Sequence, residues 1–259
     1  MIHTISGGFR DGWIVTRRNL MRYLRLPQLV VISSIQPIMF LVLFNFVFGG
    51  AIGATAVPGE EYINFLLPGI LVQTIIFGSL QTGIGLSRDL NAGIIDRFRS
   101  LPMSRGAVLT GRTVADMIRN TFIAMIMMTV GFALGFRFQD GIWNGILMIL
   151  LVLAFGYAFS WVAAFIGLAM KDEETAQLAG FLLVFPLTFA SAAFVPTDTM
   201  PSWLQTFAEN QPVTFAVEAA RHFALGTPAN GSVLHTLVSI IVIMAIFVPL
   251  SIYYYRKRA

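Results

Sequence analysis

The sequence predicts an all-α membrane protein with six transmembrane helices, and three observations carry that expectation. Of the 259 residues, 56% are hydrophobic and only 12% are charged, with a mean hydropathy of +0.77. Five stretches of 23 residues or more hold no Asp, Glu, Lys or Arg: between Arg25 and Glu60, Glu61 and Arg88, Asp140 and Lys171, Glu174 and Asp198, and Arg221 and Arg256. A sixth, between Arg119 and Arg137, runs for 17 residues. A helix needs about 20 apolar residues to cross ~30 Å of hydrocarbon at ~1.5 Å per residue. The charges, finally, fall almost wholly between these runs.

The runs place spans at 29–50, 62–86, 113–136, 142–170, 176–196 and 233–255, within a single transmembrane domain covering 1–259. Before the first span, residues 1–27 read as an interfacial connecting helix. Phe9, Trp13, Leu20 and Leu24 fall in one narrow stripe, with Asp11, Arg18, Arg22 and Arg25 opposite. An apolar stripe with Trp and an Arg face suits a helix lying in the headgroup layer and in contact with lipid. Ala54-Thr55-Ala56 resembles a signal-peptidase site, but the run before it exceeds a signal h-region of ~7–15 residues, so a retained first span is expected. The third span needs Arg112, Asp116 and Arg119 in its first turns, where spacings of i, i+4 and i+7 let a helix bridge them. Arg119 is expected to snorkel to the interface.

Orientation follows from the Arg and Lys count. Arg10, Arg17, Arg18, Arg22 and Arg25 precede span 1, Arg88, Arg97, Arg99 and Arg105 follow span 2, Lys171 follows span 4, and Arg256, Lys257 and Arg258 end the chain. The other side holds only Arg137 and Arg221. This asymmetry puts both termini in the cytoplasm. It also explains the pI of 9.8 without a nucleic-acid partner. On the exterior, residues 197–231 are too long for a turn and too apolar for a solvated loop. Thr199 is read as the cap of a short helix carrying Trp203, Leu204 and Phe207. A second helix is expected over 213–225, with Phe215 and Phe223, starting after Pro212 and closed by Gly226. The pair is expected to be re-entrant, either as interfacial props or as a gate over an exit path.

Catalytic readings fail on inventory. No H-E-x-x-H pair exists, there is no cysteine, and His3, His222 and His235 are read as interfacial, so no metal site is expected. No acidic residue is read inside a span, which excludes an intramembrane aspartyl protease. Ion-driven transport needs titratable groups at membrane depth. Here the polar groups at that depth are Ser33, Ser34, Gln36, Asn45, Gln73, Gln81 and Ser160, expected mostly to hold helices together. A P-loop needs a lysine after glycine, and neither Lys171 nor Lys257 follows one. The chain is therefore no enzyme, binds no cofactor of its own, and takes any ATP-derived work from another chain.

The loop over 87–109 is the segment best suited to receive that work. Ile94, Ile95, Phe98 and Leu101 are near-helical in spacing among alternating charges, and Pro102 stops the helix. Such a helix can dock in a partner's groove, or it is a solvated positive-inside loop.

Three stretches carry a resemblance to a known family: Leu67-Pro68-Gly69-Ile70; Asp96-Arg97-Phe98-Arg99-Ser100-Leu101-Pro102-Met103-Ser104-Arg105 with Gly111-Arg112; and 185–196 followed by Met200-Pro201-Ser202-Trp203-Leu204, Asn210-Gln211-Pro212-Val213-Thr214 and Glu218-Ala219-Ala220-Arg221. Together they resemble the permease subunit of type-2 ABC exporters, the daunorubicin-resistance-like drug exporters in particular, over essentially the whole chain. Phe215 departs from a place that is often tyrosine. The resemblance implies a bacterial cytoplasmic-membrane protein exporting a drug-like amphipathic or hydrophobic compound by alternating access. It implies pairing with a second permease subunit, as homodimer or heterodimer, on ATPase subunits that bind ATP and Mg. It makes Ile95, Asp96, Arg97, Phe98 and Arg99 the coupling helix that docks on the ATPase. Lipid or polysaccharide export, or an ATPase-independent channel or scaffold, are the alternatives. A reporter fused after Ala259 is expected to be active only in the cytoplasm, and activity on the exterior side overturns the orientation.

Overall fold

The computed structural model describes residues 2–25, 27–49, 61–94 and 105–258. All its regular structure is helical. In chain order, α1 is Ile2–Arg25, α2 Pro27–Leu43, α3 Tyr62–Asn91, α4 Arg105–Ala133, α5 Gly141–Ala169, α6 Glu173–Phe189, α7 Ser202–Glu209, α8 Pro212–Leu225 and α9 Ser232–Arg258. The coupling residues Ile95 to Arg99 lie outside the described residues, as do the side chains of Phe9 and Leu24.

The bundle is built on α3 and α5. Lipid tails give two apolar helices no hydrophobic reason to associate, so close packing must hold them, and small residues permit it. A Cβ on Gly83 would stand 2.1 Å from the Ala163 carbonyl oxygen, and one on Gly167 would stand 2.1 Å from that of Gly83. The two backbones therefore touch, and Gly156 admits the Ile75 side chain in the same way. The most apolar stretch of α3 is 72% buried inside the protein, whereas that of α9 is 6% buried. α9 thus runs along the outside, presenting Leu234, Ile241 and Ile246 outward.

Among the described residues four helices, α3, α4, α5 and α9, are long and apolar enough to span a membrane. The first expected span is helical throughout 27–49, and the fifth is shorter than expected. α2 contains Pro37, which lacks an N–H, and then widens into a π-helical turn over Phe44–Phe48. α6 is capped by Asp172, whose carboxylate accepts from Thr175 N at 2.8 Å. These bonds hold the Asp172 pKa below the usual carboxylate range, the Thr175 backbone N–H first among them. α6 ends at Phe189 instead of running to 196, and a turn through Ala193 follows. α4 begins at Arg105, eight residues before the expected start of the third span.

One end of the bundle gathers α1, the C-terminal ends of α3, α5 and α9, and the N-terminal ends of α4 and α6. Arg88 Nε donates to Glu173 at 2.9 Å and Arg258 Nη2 to Ala169 O at 3.1 Å across it. Of the expected stripe on α1, Leu20 is half-buried and Trp13 exposed. Gly111 of α4 admits the backbone and Val15 of α1, and the docked side of α1 is Val15, Thr16 and Asn19, while Trp13 is 61% exposed. Gly83→Ala should force α3 and α5 apart and cost about 1–3 kcal/mol or more. Gly106→Ala, whose Cβ meets open space, should leave stability unchanged. Melting curves of the two variants in detergent decide it, and equal midpoints contradict the close crossing.

Candidate functional site

Between α2, α3, α4 and α6, toward the end that carries both termini, lies a cavity of about 620 Å³. Its lining mixes apolar residues, Phe40, Phe77, Ile84, Ile123 and Phe181, with polar ones, Gln36, Gln73, Gln81 and Gln177 and Arg88, Arg112 and Arg119. Gln73 is 5% exposed. Gln36, Gln73 and Gln81 were expected to bridge helices. They face the cavity instead, and no side-chain hydrogen bond ties them to the described residues. Ser160 back-bonds within its own helix, to Gly156 O at 3.1 Å.

Behind the wall stands a charge cluster. Asp116, placed by the sequence in the first turns of the third span, is fully buried within α4. Its carboxylate accepts from Tyr23 Oη at 2.6 Å, Thr82 Oγ1 at 2.8 Å and Arg112 Nε at 3.3 Å. Asp89 accepts from Arg112 Nη1 at 3.4 Å and Arg18 Nη2 at 3.3 Å. A buried charge must be paired or neutralised, and three elements, α1, α3 and α4, contribute the partners. The i, i+4 spacing of Arg112 and Asp116 is used as the sequence suggested. Arg119 is not. It is 6% exposed and does not snorkel, because Gly78 O and Asn120 Oδ1 accept from its Nη2 at 2.5 and 3.1 Å. Its guanidinium carbon lies 5.7 Å from the centre of the Tyr23 ring.

A row of rings leads away from the cavity. Phe77 meets Phe181 with centroids 6.0 Å apart, and Phe181, Phe185 and Phe189 follow at one-turn intervals along α6, at 5.1 and 4.3 Å. Phe189 meets Phe194 at 5.1 Å, and Phe194 stacks on Phe44 at 4.8 Å. The i, i+4 phenylalanines of α6 are visible in the sequence, but only the fold joins them to Phe77 and Phe44.

At the opposite end α8 seals the break in α6. Arg221, 7% exposed, donates to Ala192 O at 2.7 Å, Ala193 O at 3.2 Å and Phe65 O at 3.0 Å, and lies 3.5 Å over the Phe65 ring. Gln211 Nε2 donates to Ala190 O at 2.6 Å. Burial lowers the Arg221 pKa and Glu218 opposes the shift, but a guanidinium holds its proton far above neutral pH. The sequence-derived gate residues therefore have different surroundings. On α7, Trp203 and Phe207 are exposed at 73% and 45%, while Leu204 is half-buried. On α8, Phe215 packs 4.9 Å from the His235 ring and Phe223 is half-buried. Thr199 does not cap α7. Pro201 holds that place, and Thr199 Oγ1 donates to Pro196 O at 2.8 Å. α8 runs from Pro212 to Leu225 and closes on Gly226 at φ 71°, as its sequence suggested.

Burial, then the Asp116 charge, pushes the Tyr23 pKa up to about 12. A phenol whose folded pKa exceeds the unfolded ~10 contributes stability that is whole below pH ~10 and fades as pH rises toward the folded value. At pH 10.5, wild type and Tyr23→Phe should show equal tyrosinate absorbance, because Tyr23 keeps its proton. Excess absorbance in wild type means that the phenol is not buried against Asp116.

A sequence model of the ABC-2 type transporter family matches residues 10–225. The chain is 31% identical over 241 residues, 93% of its length, to the daunorubicin resistance ABC transporter permease protein DrrB1 of Streptomyces coeruleorubidus, of which 84% is covered. It is 32% identical over 245 residues to the probable doxorubicin resistance ABC transporter permease protein DrrC of Mycobacterium tuberculosis, covering 93% of the chain and 87% of that protein. The putative transport permease ycf38 of Cyanophora paradoxa is 29% identical over 216 residues, covering 82% and 73%. With its apolar helices of spanning length, the chain is a multi-pass membrane protein, and it belongs to the ABC-2 type transporter family.

Proposed function

We propose that this chain is the membrane permease subunit of an ATP-driven exporter, moving an amphipathic or hydrophobic compound out of the cytoplasm by alternating access. The observation that carries the reading is the 620 Å³ cavity, lined by amides and arginines interleaved with phenylalanines. A site that mixes apolar walls with a few polar groups suits an amphiphile. The aromatic row from Phe77 to Phe194 gives an apolar compound a continuous surface toward the far end. The curated relatives named for daunorubicin and doxorubicin resistance support a drug-like cargo.

Energy must enter by contact, since the sequence lacks a P-loop. In this reading a separate ATPase subunit binds ATP and Mg, and the segment Ile95 to Arg99 docks on it. A second permease subunit covers the outward side of α6, where Leu178, Leu182 and Phe185 are exposed. Both termini face the cytoplasm of a bacterial cell. At the outer end α8, stapled by Arg221, forms a fixed wall, and α7 with Trp203, Leu204 and Phe207 lies in the outer interface.

Phe98→Ala should remove an aromatic anchor worth about 2 kcal/mol or more in a docked groove, and Arg97→Glu should reverse a charge on its rim. Both variants are expected to insert normally, to lose the ATPase in a pulldown or to uncouple its hydrolysis, and to export less. If both retain the ATPase and export at the wild-type rate, the coupling assignment is wrong.

A further inference from the structure

The two sides of α1 differ in kind. One side is docked: Val15, Thr16 and Asn19 are buried, and Thr16 Oγ1 donates to Gly111 O of α4 at 3.1 Å. The other side is open. Trp13, Ile14 and Met21 are exposed there, and so are Arg17, Arg18 and Arg25. At ~100° per residue, Ile14, Arg17, Arg18, Met21 and Arg25 share about 100° of arc. Apolar and cationic side chains therefore alternate on one face, where the sequence suggested an apolar stripe with arginines opposite. Water penalises the exposed apolar groups, and hydrocarbon penalises the guanidinium ions. The headgroup layer of a membrane takes both. The chain places this face at that depth. α1 ends at Arg25 and α2 begins at Pro27. The apolar run Val31–Val47 follows, with Val31, Ile32 and Ile35 exposed. The charge is of one sign as well. Asp11, half-buried, is the only acid in α1, and Arg18 alone of the three exposed arginines pairs with Asp89, at 3.3 Å.

We infer that the exposed face of α1 binds anionic phospholipid, with Arg17 and Arg25 on phosphate oxygens and Trp13, Ile14 and Met21 among the upper acyl chains. A guanidinium suits phosphate by charge and by its planar fork of donors. The docked side of the same helix holds Tyr23 on Asp116 at 2.6 Å, so lipid on one face holds the other on α4. The inference rests on the chain being a membrane protein and not on its reading as an exporter.

The chain has no cysteine, so a single introduced thiol can carry a probe. The full chain with Ile14→Cys, labelled with nitrobenzoxadiazole, is placed in phosphatidylcholine nanodiscs with graded phosphatidylglycerol at physiological salt. The label should move into an apolar environment as phosphatidylglycerol rises. Arg17→Gln and Arg25→Gln should each weaken the apparent affinity for phosphatidylglycerol about fivefold, the scale of one basic side chain at an anionic surface. Arg256→Gln with Lys257→Gln removes as much charge from the same end of the bundle and should leave that affinity unmoved. Every substituted side chain is exposed, so the fold is not at stake. A response that survives the loss of both Arg17 and Arg25 overturns the inference. So does an equal loss in the C-terminal variant, which makes the effect one of diffuse charge. A label buried in phosphatidylcholine alone and indifferent to phosphatidylglycerol overturns the anionic headgroup. A label that stays in water in every disc assigns the face to a protein partner and overturns the inference outright.

Discussion

Asp116 is fully buried, and its carboxylate is bound by a side chain from each of three helices, Tyr23 of α1, Thr82 of α3 and Arg112 of α4. An ionised carboxylate survives burial only when its oxygens are occupied. That requirement fixes where α1 docks and how α3 and α4 align at the terminal end of the bundle. Removing one partner of such a pair leaves an uncompensated charge, at a cost of roughly 3–5 kcal/mol. Arg112 also spans to Asp89, which Arg18 holds from α1, so the cluster is one network. Its geometry needs room. A Cβ on Gly85 would collide with the Arg112 guanidinium, and that glycine lets α3 accept a large cation against its backbone.

The far end solves a different problem by similar means. α6 stops short, and the turn after it leaves carbonyls with no helical donor. In hydrocarbon such groups cost several kcal/mol each unless the protein satisfies them. Arg221 and Gln211, both on or beside α8, supply the donors, and Tyr62 adds its hydroxyl to Phe194 O at 2.9 Å. The break in α6 and the burial of α8 are therefore one arrangement. Arg221 reads in the sequence as a stray exterior charge, yet it is among the most enclosed cations of the described residues.

Charge placement made the membrane helices legible, because a run without charge is a direct statement about solvent. The ends of α8 were equally plain from Pro212 and Gly226. What periodicity could not show is how helices choose faces. α1 docks through small and polar residues, Val15, Thr16 and Asn19, which permit close approach to Gly111, and leaves Trp13 exposed. Span counting treated Arg119 as an edge residue, since the sequence does not reveal that Gly78 O and Asn120 would receive it. The glutamines read as glue for a related reason: a polar side chain in a span bridges helices or faces a cavity, and only the packing of α2, α3 and α6 decides. The aromatic row is half legible, in the spacing of Phe181, Phe185 and Phe189, and half a product of tertiary contact.

Tyr23 joins the two ends of this argument. Its hydroxyl is committed to Asp116, its ring lies beside Arg119, and it lines the cavity. α1 is thus a structural part of the cavity wall. Moving α1 off α4 would strip Asp116 of a donor and Arg119 of its ring partner in the same motion. Such a shared residue ties the wall of the cavity to the seating of α1. The link needs no long chain of side chains, because a single phenol makes both contacts.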